Sequence, residues 1–203
     1  DPRCVEQAAA AYAAYLGEAE AGAALAAFDR FRVLAAVNRG PFGVAELNRR
    51  IAARLQARGL IPGGADYHGR PVMVTANDYE AGLFNGDIGL LWRQGGGPLR
   101  AWFPDGAGGA RSLSLRQLPE HVTAYALTVH KSQGSEFDQV LLVLPPEPGR
   151  GLARELIYTG VTRARGRVTV HARGEAFVQG CRARVRRGSA LAARLGWPEP
   201  GAG

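Results

Sequence analysis

Cysteine is scarce in this sequence. Cys4 and Cys181 are the only two, they stand near opposite ends, and no CxxC pair exists. That argues against a zinc site or a disulfide framework, and no metal site is expected. Two unpaired thiols fit a reducing cytosol, so a cytoplasmic protein is expected. Long apolar runs are missing too, and none reaches the roughly 18 residues that a membrane-spanning helix needs. There is no GxxxxGK[ST] run, so the chain lacks a phosphate loop of the Walker type. The opening Asp1-Pro2-Arg3 has neither an initiator methionine nor a signal-peptide pattern, and it reads as an internal cut from a longer parent. Acidic residues are the minority charge: 18 Asp and Glu face 25 Lys and Arg, a formal net charge of +7. Such a balance favours a polyanionic partner, DNA or RNA.

What is present suffices for a packed core. The 203 residues are 46% hydrophobic, enough for one large domain or two small ones. Residues 3–28 are rich in alanine, with Val5, Tyr12, Leu16, Leu25 and Phe28 at helical spacing, and Gly17 and Gly22 are expected to break them into two helices. Phe31 to Val37 is a short apolar run, the mark of a buried parallel strand. A loop of Asn38-Arg39-Gly40-Pro41-Phe42-Gly43 leads to a helix with Val44, Leu47, Ile51 and Leu55 on one face and Gly59 as its stop. Strand, loop and helix in that order predict an α/β domain.

From about Tyr67 the texture changes. Pro71–Thr75, Ile88–Trp92, Leu99–Phe103 and Ser112–Leu115 are short strand-like runs between turns rich in Gly and Asn, which predicts a small antiparallel barrel inserted at 66–118. Residues 1–65 and 119–203 then flank it as the two parts of one α/β domain. In the second part, Thr123–Val129 and Val140–Leu144 are expected strands. Leu152–Ala164 is an expected helix, Val168–His171 a strand, and the tail from Gly174 an Arg-rich helical region.

Two stretches offer chemistry. Thr128-Val129-His130-Lys131-Ser132-Gln133-Gly134-Ser135-Glu136-Phe137 lies between two expected strands. Thr128, His130, Ser132 and Gln133 supply neutral donors near a strand's C-terminal end, where α/β folds place ligands. Gly134 permits close backbone approach, and a turn that opens a helix there would offer free N–H groups to a phosphate. Glu136 is suited to a ribose hydroxyl. Tyr158-Thr159-Gly160-Val161-Thr162-Arg163-Ala164-Arg165 reads as the end of a helix presenting Arg163, a group able to stabilise charge on a transferring phosphoryl. An ordinary polar turn and a surface arginine are the bland alternatives for each stretch alone.

Taken in order, the blocks resemble the RecD family of DNA helicases. Ala126–Asp138 resembles its motif V and Glu155–Arg165 its motif VI. Gly40-Pro41-Phe42-Gly43-Val44 with Leu47-Asn48 resembles its motif IV region, and Gly82–Gly89 the segment that follows. The resemblance implies an α/β, RecA-like second motor domain with a parallel sheet, carrying an inserted SH3-like barrel. It implies a 5′-to-3′ DNA helicase acting in double-strand break repair and DNA degradation, in an exodeoxyribonuclease V complex with RecB-like and RecC-like subunits. ATP and Mg²⁺ would be bound mainly by an N-terminal RecA-like domain outside this sequence, so the fragment alone is expected to hydrolyse no ATP. By the same resemblance Arg163 is the arginine finger, and Arg39 stands where the family often has a motif IV arginine near the phosphates. Gly134, Glu136 and Gln133 would approach the nucleotide, and Thr128 and His130 would touch single-stranded DNA. Phe84 and Asn85 would meet DNA from the barrel. Trp92 and Trp102 either stack bases or fill the barrel. The competing reading is a passive single-stranded nucleic-acid-binding or subunit-docking module, with the N-terminal helices and the tail as docking surfaces.

Overall fold

The apolar run after the first two helices becomes strand β1 (Phe31–Ala35), buried at every position. It sits near the middle of a four-stranded parallel sheet in a computed structural model that describes residues 2–147 and 152–184. Helices α1 (Pro2–Leu16) and α2 (Ala21–Asp29) precede β1, and α3 (Val44–Ala57) follows it. The chain then makes β2 (Arg70–Val74), β3 (Ile88–Trp92), β4 (Arg100–Pro104), β5 (Ala110–Ser114) and β6 (His121–Thr123). These pair as a five-stranded antiparallel sheet of order β5-β4-β3-β2-β6. Strands β7 (Ala126–Thr128), β8 (Phe137–Val143) and β9 (Ala164–His171) complete the parallel sheet, in the order β7-β1-β8-β9. Helix α4 (Arg154–Val161) connects β8 to β9, and α5 (Gly174–Arg182) follows β9.

Alternation along the parallel strands sorts their side chains into two cores. Val33, Ala35, Leu141 and Val143 face α1, α2 and α3, whereas Leu34, Val140 and Leu142 meet Leu156 and Ile157 of α4. Both faces are covered, so the strands read as unbroken apolar runs rather than as alternating ones. Each such side chain contributes about 1.5–3 kcal/mol by leaving water. Helix α4 comes close to the sheet because residue 160 is glycine: a Cβ there would stand 2.9 Å from Leu142 Cδ1. On the other side α3 buries Leu47, Ile51 and Leu55. It ends where Gly59 takes φ +69° and the Leu60 N–H reaches back to the Leu55 carbonyl at 3.0 Å.

The antiparallel sheet is also two-faced. Leu90 and Trp92, with Trp102 packed against them, join the core built around α1 and α2. Val72, Val74, Leu91, Ala101 and Phe103 face the other way and surround Leu83 in a core of their own. Gly89 lies on the face of this second core, and a Cβ there would collide with the Trp102 carbonyl and the Phe103 ring. Both tryptophans therefore fill space. Trp92 is fully buried with its Nε1 3.4 Å from the Ala19 carbonyl, and the Trp102 Nε1 is buried without a partner.

Several boundaries differ from expectation. Gly22 lies inside α2, because the break is made by residues 17–20. The run 123–129 is not one strand: β6 pairs with β2, Ala124 and Tyr125 pass between the sheets, and β7 pairs with β1. The antiparallel sheet thus continues to Thr123, past the boundary expected at 118. Tyr125 is clamped in that passage, its carbonyl accepting from the Tyr12 hydroxyl and its own hydroxyl lying 3.2 Å from that of Tyr67. Helix α4 is shorter than 152–164, and β9 begins four residues before Val168 because it pairs along most of β8. Of the N-terminal helices, Ala8, Ala9, Ala21 and Ala24 are fully buried, so these helices pack on the chain's own sheet. The tail beyond 184 lies outside the described residues. Among the described residues no helix is long and apolar enough to cross a membrane.

Candidate functional site

Edge strand β7 has an outer row of backbone groups with no strand beside it. Asn48, on α3 and 7% exposed, fills that role: its Oδ1 accepts from the Ala126 N–H at 2.9 Å and its Nδ2 donates to the Ala126 carbonyl at 3.1 Å. The Leu47-Asn48 block is thereby tied to the motif V strand, a link that spacing along the sequence does not disclose. Beside it opens a cleft of about 590 Å³ whose lining includes Asn48, Arg49, Arg70, Thr128 and Lys131. Thr128 stands at its rim, its Oγ1 accepting from the Lys131 N–H at 3.2 Å, and His130 is exposed next to it.

The segment after Thr128 does not open a helix. One 3-10 turn, His130–Ser132, is followed by Gly134 at φ +86° and then by β8. Residues 140–143 pair with β1, and this requires the chain to enter the sheet from its other end. Thr128 is level with Ala35, the last residue of β1. Phe137 enters two residues before Gln139, which is level with Phe31, the first. Motif V therefore runs the full height of the sheet. Thr128 and His130 lie at the C-terminal rim, Gly134 and Glu136 at the N-terminal rim. Gln133, exposed, ends the 3-10 turn on the way. Without a helix, the expected phosphate site on a helix N-terminus is absent here.

Arg163 is not on a helix either, since α4 stops at Val161 and Thr162 caps it. It occupies the turn into β9, at the same rim as Glu136. The Arg163 carbonyl accepts from the Phe137 N–H at 2.8 Å. Its Nε donates to the Thr159 carbonyl at 3.2 Å and its Nη1 to the Ser135 carbonyl at 3.1 Å. The side chain is half-buried and spans motifs V and VI. Among the described residues no carboxylate forms an ion pair with it. Glu136 does have one, with Arg165 Nε at 3.1 Å, both partners being largely exposed. Beneath this rim lies a residue that the sequence reading missed. Arg32 is 1% exposed and lies between the Phe28 and Phe137 rings, 4.2 and 5.0 Å from their centroids. It bonds Asp29 at 3.1 Å, while its Nε and Nη1 are buried without partners.

Arg39 is exposed on the loop that leaves the C-terminal end of β1. The fold thus places it on the rim of Thr128, not on that of Arg163. It lines a shallow cleft with Arg49 and Arg50. Those two arginines bond Glu46 and hold its carboxyl down at about 2, Arg49 contributing more. Phe84 and Asn85 are exposed on a turn of the antiparallel sheet.

Residues 123–171 match the UvrD-like helicase C-terminal domain family. The RecBCD enzyme subunit RecD of Haemophilus influenzae is 39% identical over 81% of this chain and 25% of its own length. The RecBCD enzyme subunit RecD of Mycobacterium tuberculosis is 44% identical over 78% of this chain and 27% of its own. The chain belongs to the RecD family. It spans about a quarter of the length of these curated relatives. A Pif1 helicase from Bacteroides, solved with ADP-AlF3 and single-stranded DNA, superposes with a TM-score of 0.46 at 18% identity, over 83% of this chain and 44% of that one. The α/β fold with its parallel sheet is helicase-like. For a RecD-family chain the motif order was legible in the sequence. The division of one motif between two rims, and the arginine stacked beneath one of them, were not.

Proposed function

We propose that the chain is the second motor half of an ATP-dependent 5′-to-3′ DNA helicase, acting in double-strand break repair and DNA degradation within an exodeoxyribonuclease V complex. RecB-like and RecC-like subunits are its partners there, and the segment expected at 66–118, with β6 added, is its SH3-like insertion. One observation carries the reading. Arg163 projects from a rigid turn, and carbonyl oxygens hold it without neutralising its charge. A guanidinium restrained by dipoles alone suits a polyphosphate brought by a facing domain.

ATP supplies the anhydride whose cleavage drives the cycle, with Mg²⁺ bound mainly by the facing domain. In this chain Arg163 is the finger that meets the phosphates, Gly134 lets the backbone come close, and Glu136 and Gln133 lie beside the nucleotide. Thr128 and His130, at the opposite rim, contact single-stranded DNA, and the cleft that Thr128 borders is lined by Arg49, Arg70 and Lys131. The continuous backbone of residues 128–137 then couples the two ends: a shift imposed on Arg163 reaches Ser135 through one hydrogen bond and Thr128 through the chain. Arg39 joins the DNA rim by its position. Phe84 and Asn85 extend the contact onto the insertion.

The test uses the full-length protein. Arg163→Ala is expected to lower DNA-stimulated ATP turnover by about 10³–10⁵ while the protein remains folded. Unaltered turnover would overturn the assignment.

A further inference from the structure

The exposed aromatic side chains of the antiparallel sheet are not its tryptophans but Tyr79, 79% exposed, and Phe84, 49% exposed. They lie on one tight hairpin. Asp78 and Leu83 exchange both backbone bonds, at 2.7 and 2.9 Å, and Gly82 takes φ +60°. Arg111 clamps the turn from below, donating to the Ala81 and Gly82 carbonyls at 2.8 and 2.6 Å. Leu83 is buried as the anchor. The two rings are held 6.0 Å apart at 81°, an open corner displayed on a rigid support. We propose that this corner binds one unpaired nucleobase, Tyr79 acting with Phe84, a residue that the proposed DNA contact already includes. The inference rests on that reading.

The chemistry favours a base over a protein. A stable protein interface buries about 800 Å² per partner, and two rings supply at most about 500 Å² of aromatic surface. Their exposed neighbours Glu80, Asn85 and Gly86 add no apolar area. A base needs only a π-face, and stacking tolerates any sequence, as a translocating motor requires. Two of the three nearby acids are engaged by backbone N–H groups, and Glu80 is the one left exposed. The Asp78 and Asp87 carboxylates are turned onto the Ala81 and Phe84 N–H groups, both within 2.9 Å. Arg116 is exposed in the adjoining cleft, within the basic balance of the chain.

The experiment measures the affinity of the full-length protein for labelled oligo(dT) by fluorescence anisotropy, with one nucleotide at a time replaced by an abasic residue. Tyr79→Ala is expected to weaken binding about tenfold, and Tyr79→Phe to keep it. At one position the abasic substitution should add nothing further to Tyr79→Ala. Unchanged affinity in Tyr79→Ala, or additive losses at every abasic position, overturns the inference alone. So does a loss of binding to a RecC-like subunit with DNA affinity intact. Absence of oligo(dT) binding by the unaltered protein overturns both this inference and the proposed function beneath it.

Discussion

The two sheets solve the same packing problem by different means, and their candidate ligand groups differ accordingly. The parallel sheet is covered on both faces by helices, so only its rims are open, and its candidate groups are backbone turns and charged side chains at strand ends. The antiparallel sheet is covered by α1 and α2 on one face and by its own turns on the other. Its open chemistry is a hairpin tip. A tryptophan on a strand is therefore a poor indicator of a ligand here, and a tyrosine in a turn a better one, because only the turn escapes burial.

The comparison is sharpened first at the parallel sheet's edge. Asn48→Ala strips the buried Ala126 N–H and carbonyl of their partners, and the expected cost is about 3 kcal/mol in chemical denaturation. A loss below about 1 kcal/mol would mean that β7 is not held by this side chain. The junction between the sheets is probed by pH. Burial pushes Tyr12 up to about 12 from an ordinary 10.0 and carries Tyr15 and Tyr125 well above theirs, while Tyr67 is raised as well. A phenol that holds its proton more tightly when folded stabilises the fold fully below its unfolded value. That stability is lost as pH climbs through 10 toward 12. Unfolding that coincides with tyrosine ionisation is expected in that window, and ionisation at ordinary pH with the fold intact would break the junction as described. The smallest effect belongs to Trp102→Phe. Removing a buried N–H that has no partner offsets much of the lost area, so stability should change by less than about 1 kcal/mol. Oligo(dT) affinity should not change at all, and a clear fall in it would restore Trp102 as a base-stacking residue.

Much of the fold was legible because periodicity reports burial directly. Val140–Leu144 could only be a strand covered on both faces, and Ile88–Trp92 matched β3 residue for residue. Less of the site was legible. The turn at Lys131–Ser135 has the composition of a helix opening, yet the pairing of β8 with β1 pulls it into a descent along the sheet. The same pull sets Arg163 on a turn, where its carbonyl is fixed by Phe137. Arg32 gave no sequence signal, since an arginine inside an apolar strand reads as an exposed interruption until the two phenylalanine rings around it are located.

By itself the sequence determined the family, the order of the motifs, the parallel core and the basic character of the chain. These are carried by local residue identity and by the period of hydrophobic side chains. Only the tertiary structure decided that motif V joins two opposite rims, that Asn48 closes the edge of β7, that Trp92 is buried and Trp102 half-buried, and that Tyr79 is exposed. Each of those depends on which strands pair and in what register, and pairing is set by the burial of many residues distant in sequence rather than by the residues at the site.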